Sequence, residues 1–150
     1  MKELRVQARY AAPPADVFEA VSDHEVLLTT PATRCRLLQE GEAERNGLGA
    51  LREIRSAGLV FREEIVAFTR PHRYEYVIRS LKGPGGLALP VEHELGWLEL
   101  TPEGEGTRVD WVSRFCVKLP GIGGALEGVL GPRFEATFAG MLEGARKRLS

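Results

Sequence analysis

At Pro120 the hydrophobic pattern of the chain changes period. Before it, from Arg34 to Lys118, apolar and polar residues alternate in short runs. The runs are broken at 41–49, at 56–58, at Arg70-Pro71, at 83–90 and at 102–106. A period of two marks half-buried strands, and six strands so spaced form an antiparallel meander. After Pro120, Leu126, Leu130, Phe134, Phe138, Met141, Ala145 and Leu149 recur at spacings of four and three, the stripe of an amphipathic helix. Proline interrupts the helical hydrogen-bond ladder, so Gly131-Pro132 is predicted to end a first short helix and to open a longer one over 132–149.

The N-terminal segment adds one strand and a clasp. Glu3 to Tyr10 alternates strictly, with Leu4, Val6, Ala8 and Tyr10 on one side. Pro13-Pro14 opens a short helix whose Val17, Phe18 and Val21 share a face, and Ser22 with Glu25 reads as a capping box for a second short helix ending by Pro31. With 150 residues, 43% of them hydrophobic, the chain encloses one core, and nothing in it divides domains; 1–150 is a single domain. Seven strands with one apolar face must then be covered by one long helix and a small clasp. A flat sheet would leave apolar surface in water, so the sheet is predicted to curl around the C-terminal helix, with a space between them.

This order of elements resembles the helix-grip fold of the START and Bet v 1-like (SRPBCC) superfamily: an α+β fold in which a seven-stranded curved antiparallel sheet wraps a long C-terminal helix, with two short helices after the first strand. The local text is similar to bacterial polyketide cyclase-like members at Val17-Phe18 through Ser22-Asp23, at Gly49-Ala50-Leu51-Arg52, at Glu63-Glu64-Ile65 followed by Arg70-Pro71, and at Gly106-Thr107-Arg108-Val109-Asp110-Trp111. The resemblance covers nearly the whole chain and implies an apolar cavity for a lipid, polyketide, sterol-like or aromatic ligand. Superfamily members include cyclases, aromatases, carriers, hormone receptors and quinone-binding proteins, and a fold does not choose among such roles.

Strand parity says which residues face that space. With a loop at Thr101 to Gly106, Leu100 faces Thr107, Leu98 faces Val109, Gly96 faces Trp111 and Glu94 faces Ser113, all on the inner side. Outside, Glu99 pairs with Arg108. In the preceding strands the inner parities are Ala50, Arg52 and Ile54, then Leu59, Phe61, Glu63 and Ile65, then Tyr74, Tyr76 and Ile78. A two-residue turn at Ala57-Gly58 sets Arg52 directly opposite Glu63; a longer turn with Gly58 left-handed shifts the register by one. Such a pair is either a self-satisfying buried ion pair or a ligand anchor. Tyr74 and Tyr76 either offer hydroxyls to a ligand or are core, and the same choice applies to Trp111, Phe115, Phe134, Phe138 and Met141. An inward Glu94 either binds water at the rim or is a base with a raised pKa.

Other chemistries find little support. Twenty Lys and Arg against 21 Asp and Glu give a net charge of −1 with the signs interspersed, which excludes a basic nucleic-acid groove. No run is long enough for membrane insertion, the N-terminus lacks a signal-peptide core, and the expected location is cytoplasmic. Cys35 and Cys116 read as buried thiols with no disulfide. His24, His72 and His93 read as turn or surface residues; His93-Glu94 begins an H-E-x-x-H, but Trp97 stands where the second His belongs, so no metal is expected. No cofactor motif occurs either. The leading reading is binding or carriage of a small hydrophobic ligand without catalysis. A cyclase or aromatase using Arg52, Glu63, Tyr74, Tyr76 and Glu94 is the alternative, and a quinone or lipid chaperone, suggested by resemblance over Phe134 to Leu149, is the third. Leu95, Trp97 and Val112 are expected together on the convex face, where they would suit a homodimer contact.

Overall fold

In the computed structural model, which describes residues 1–56 and 58–149, seven strands and three helices follow one another. They are β1 (Lys2–Tyr10), α1 (Pro14–Ser22), α2 (His24–Leu27), β2 (Thr33–Gln39), β3 (Leu51–Ser56), β4 (Leu59–Thr69), β5 (Arg73–Lys82), β6 (Val91–Glu103), β7 (Gly106–Val117) and α3 (Gly123–Leu149), with a 3-10 turn at Pro84–Gly86. The sheet is antiparallel in the order β1-β7-β6-β5-β4-β3-β2, a meander whose last strand pairs with the first. This is the helix-grip fold. Alternation drives it: in β1 only Leu4 and Tyr10 are fully buried and the residues between them alternate, while in β7 Val109, Trp111, Ser113, Phe115 and Val117 all turn inward.

The helix lies chiefly along β1 and β7. Its N-terminal half packs Leu126, Leu130 and Phe134 against Leu4, Phe115 and Val117. Its C-terminal half buries Met141, Leu142 and Ala145, and the Tyr10 hydroxyl donates to the Leu142 carbonyl at 2.8 Å. With α3 tied to one half of the sheet, the curl of β3 to β5 stands off from it, and that standoff is the origin of the cavity.

Several local expectations change. α3 runs unbroken through Pro132 instead of starting there. A proline inside a helix costs roughly 3 kcal/mol, but the apolar stripe contacts the sheet on both sides of it. Gly131 makes this close pass possible, since a Cβ there would meet Lys2 Cε at 2.8 Å and Leu4 Cδ2 at 3.3 Å. The cap of α2 is Asp23, whose carboxylate accepts from the Glu25 N–H, and not Ser22, which is buried. Glu25 reaches instead to the Leu37 N–H and to Arg45.

In the last hairpin the turn is tighter than expected. Glu103 pairs with Gly106, and Gly104, at φ +59°, takes the left-handed conformation that a two-residue connection demands. Pro102 is tolerated inside β6 because Leu100 N–H already bonds back to His72, and beyond it β5 has not begun on that side. The register therefore moves by two residues, which preserves parity but changes partners. Trp111 faces Leu98, not Gly96; Gly96 faces Ser113; Glu99 pairs with Arg73 at 2.8 Å, not with Arg108, which binds Glu103 and Asp110. On the convex face Val112 is fully buried, and the Arg73 guanidinium lies 4.8 Å from the centre of the Trp97 ring, so the foreseen apolar patch is narrower than Leu95, Trp97 and Val112 together. At the other hairpin, Ala57 lies outside the described residues, but the pairs Ser56–Leu59 and Arg52–Glu63 fix the register of the two-residue connection. Both cysteines are free and partly buried.

Candidate functional site

Between β3 to β7 and α3 lies a cavity of about 550 Å³, within the size range of pockets that hold one drug-sized molecule. Its wall is mainly apolar. Ile54, Phe61 and Ile78 line one side and Phe115, Phe134 and Met141 the other, while Trp111 and Phe138 stack face to face at 4.1 Å. The sheet itself opens here. β5 and β6 pair only from Arg73–Glu99 to Tyr76–Gly96, and beyond that point they separate. Consecutive residues 77–81 and 91–93 therefore touch the cavity, where a closed strand would offer every second one. The exposed residues Arg79, Glu92, Arg133 and Thr137 form the rim.

The gap is bridged by a side chain. A β-bulge between His93 and Leu95 reverses the parity of β6 at its start, which sends Glu94 outward and His93 inward. Glu94 is 44% exposed and pairs with Arg114 at 2.9 Å, so it is neither an inward carboxylate nor a base. His93 accepts the Ile78 N–H at Nδ1 (3.1 Å), in place of the missing strand ladder. Its ring proton is thereby placed on Nε2, which donates to Ser113 Oγ at 2.9 Å. Burial holds this imidazole down to about 4, so it is neutral at pH 7. The ring also stacks on Tyr76 at 5.4 Å. Tyr76 in turn occupies the space over Gly96, where a Cβ would fall inside its ring, and its hydroxyl accepts from Trp111 Nε1 at 2.8 Å.

At the buried end stands Glu63, 3% exposed. Arg52 Nη1 donates to its Oε1 at 2.9 Å and His24 Nδ1 reaches the same oxygen at 2.7 Å. Arg52, 1% exposed, spends Nη2 on the carbonyls of Ser22 and Asn46. Burial alone would raise the Glu63 carboxyl, but the charges and hydrogen bonds of His24 and Arg52 outweigh it and bring it down to about 2. It is a carboxylate at all ordinary pH.

His24 continues outward through Nε2 to the Tyr74 hydroxyl (2.5 Å), which also lies 2.6 Å from the Val21 carbonyl. The three contacts Glu63–His24, His24–Tyr74 and Tyr74–Val21 need three protons; a neutral imidazole and a phenol bring two. An imidazolium would supply the third, but burial and the neighbouring Arg52 cation lower His24 to about 4. At pH 7 it is neutral, and Tyr74 shares its one proton between two acceptors.

Strand parity thus brings Phe61, Glu63, Tyr76, Trp111 and Phe115 to the cavity wall, and the α3 stripe brings Phe134, Phe138 and Met141. Arg52 and Tyr74 stand behind it, holding Glu63 and His24, and Glu94 is outside. Three polar groups escaped the sequence reading. His24 and His93 are not turn or surface residues; only His72 is exposed as expected. For His24 the signal was present, since it continues the Val17, Val21 spacing of the buried helical face. Ser113 was seen only as the partner of Glu94, and His93 could not be placed without the bulge. Among the described residues no cluster of His, Cys, Asp or Glu could hold a metal ion.

A family model described as polyketide cyclase/dehydrase and lipid transport matches residues 1–150. The chain belongs to this family. Solved structures agree on the fold. The protein TTHA0849 from Thermus thermophilus superposes with a TM-score of 0.77 at 19% identity, over 98% of this chain and 96% of that one. A START superfamily protein from Mycobacterium smegmatis gives 0.76 at 17% identity, over 99% of both chains. Ara h 8.0201, a Bet v 1 homologue, gives 0.66 at 17%, over 96% and 97%. No curated protein matches in sequence. The family supports a hydrophobic ligand-binding fold, and no helix among the described residues is long and apolar enough to cross a membrane.

Proposed function

We propose that this protein binds and carries one small hydrophobic molecule in the cavity between sheet and helix. The observation that carries the reading is the cavity itself: about 550 Å³, walled by aromatic and aliphatic side chains, and reaching the surface where β5 and β6 part. Carriage is favoured over the cyclase or aromatase reading by the state of the polar wall groups. Proton abstraction calls for a base whose pKa lies near the working pH. Glu63 is held at about 2, and both ring nitrogens of His93 are engaged. These groups orient a ligand better than they deprotonate one. Carriage also covers a quinone or lipid chaperone, which differs only in its cargo.

The test is titration with N-phenyl-1-naphthylamine, a neutral apolar probe that brightens on leaving water. One equivalent is expected to bind per chain. Met141→Trp, which places an indole in the cavity, should abolish binding while the circular dichroism spectrum is unchanged. Undiminished binding by that variant would put the site elsewhere.

A further inference from the structure

The buried end of the cavity presents an acceptor, Glu63 Oε2, and a donor, the Tyr76 hydroxyl proton, that find no partner among the described residues. Oε1 of Glu63 takes both the Arg52 and the His24 bonds, which fixes the carboxylate plane. Oε2 makes no hydrogen bond among the described residues, and, unlike Arg52 Nε, it is not sealed among protein atoms. It is an acceptor with nothing to accept. Tyr76 is its complement. The Tyr76 oxygen already accepts from Trp111 Nε1, and the Ser113 hydroxyl is its second neighbour. Ser113 receives the His93 Nε2–H. The hydrogen bonds run from the Ile78 N–H to His93 Nδ1 and from His93 Nε2 to Ser113. Among the described residues the Tyr76 hydroxyl donates to no acceptor, and its proton is available to the cavity. Glu63 pairs with Ile78, and Ile65 with Tyr76, so Glu63 and Tyr76 are diagonal neighbours on the inner face, and the ring of His24, which is bonded to Glu63, lies 6.2 Å from the Tyr76 ring.

We infer that this pair is a subsite for a neutral hydroxyl, an alcohol or phenol borne on an apolar body, which donates to Glu63 Oε2 and accepts from the Tyr76 hydroxyl. A hydroxyl does both from a single atom. A carbonyl or ether has no proton for Glu63. A carboxylate or phosphate would set a second anion against a buried carboxylate. The ligand then enters hydroxyl first, with its apolar body between Phe61, Phe138 and Met141. Arg52 and His24 are positioning residues, acting through Glu63. The inference rests on the carrier reading and names the chemistry of its cargo.

Three probes sharing one apolar body test it: 2-naphthol, 2-methoxynaphthalene and 2-naphthoate, each displacing N-phenyl-1-naphthylamine at pH 7. A hydrogen bond to a charged group predicts that the phenol binds about ten- to a hundredfold more tightly than the ether. The naphthoate should bind more weakly than either. Tyr76→Phe, which keeps the ring over Gly96, should reduce the preference for the phenol, and Glu63→Gln should reduce it further. The wild-type comparison stands even where a variant fails to fold. Equal affinity for phenol and ether would overturn the hydroxyl subsite and leave the carrier reading intact; tighter binding of the naphthoate would overturn it in favour of an anion site. Loss of all three probes together with the fluorescent one would remove both.

Discussion

Replacing Arg52 should expose how much of the fold hangs on one ion pair. Its guanidinium is 1% exposed and makes three hydrogen bonds, one to Glu63 and two to carbonyls of Ser22 and Asn46. Arg52→Met keeps most of the volume and removes all three. It also leaves the buried Glu63 carboxylate with His24 as its one remaining partner. Breaking one side of a buried pair in this way costs roughly 3–5 kcal/mol. For a chain of this size each kcal/mol moves the melting temperature by about 2–4 °C, so the variant should melt roughly 6–20 °C below the parent. Without the Arg52 charge the Glu63 carboxyl should rise from about 2 toward its ordinary value of 4.5, so the stability that the parent loses through Glu63 as pH falls from 4.5 toward 2 should be smaller in the variant. The double variant Arg52→Met, Glu63→Leu removes both charges. Its destabilisation should be less than the sum of the single changes by roughly 0.5–3 kcal/mol. Urea unfolding followed by circular dichroism measures all three. Single-variant losses of only a few tenths of a kcal/mol, with no coupling, would refute the buried-pair argument.

Two further expectations follow from the same structure. His24 and His93 are both lowered from 6.5 to about 4, so between these values the unfolded chain binds protons that the folded chain does not; the stability they confer is complete above pH 6.5 and is lost as pH falls toward 4, by at most about 3 kcal/mol for each histidine. Urea midpoints measured across this window should fall accordingly, and His93→Gln should flatten the slope. Pro132→Ala restores a backbone donor inside α3 at an exposed position and should raise the melting temperature, by at most about 3 kcal/mol of added stability; a lower melting point would show that the proline is needed for the close pass of Gly131 over β1.

Much of this protein was legible before its structure. Period two from Arg34 to Lys118 and period near 3.6 after Pro120 determine strands and helix, because burial of one face is enforced residue by residue along a regular backbone. Parity then carries Arg52, Phe61, Glu63, Tyr76 and Trp111 to the inner face, and it survived the two-residue error in the last hairpin because a shift of two leaves every face unchanged. What parity could not carry was the bulge beside His93, since one extra residue exchanges the faces of Glu94 and His93 without any mark in composition. The continuity of α3 through Pro132 was decided likewise by packing on either side of it, which outweighs a local preference for a break. The opening between β5 and β6, and the contacts of His24 with Glu63 and Tyr74, join residues that are 39 and 50 positions apart in the chain. Partners at that distance are chosen by how the sheet curls and where the clasp seats. Local pattern decides which way a side chain points, and only the closed fold decides what it meets there.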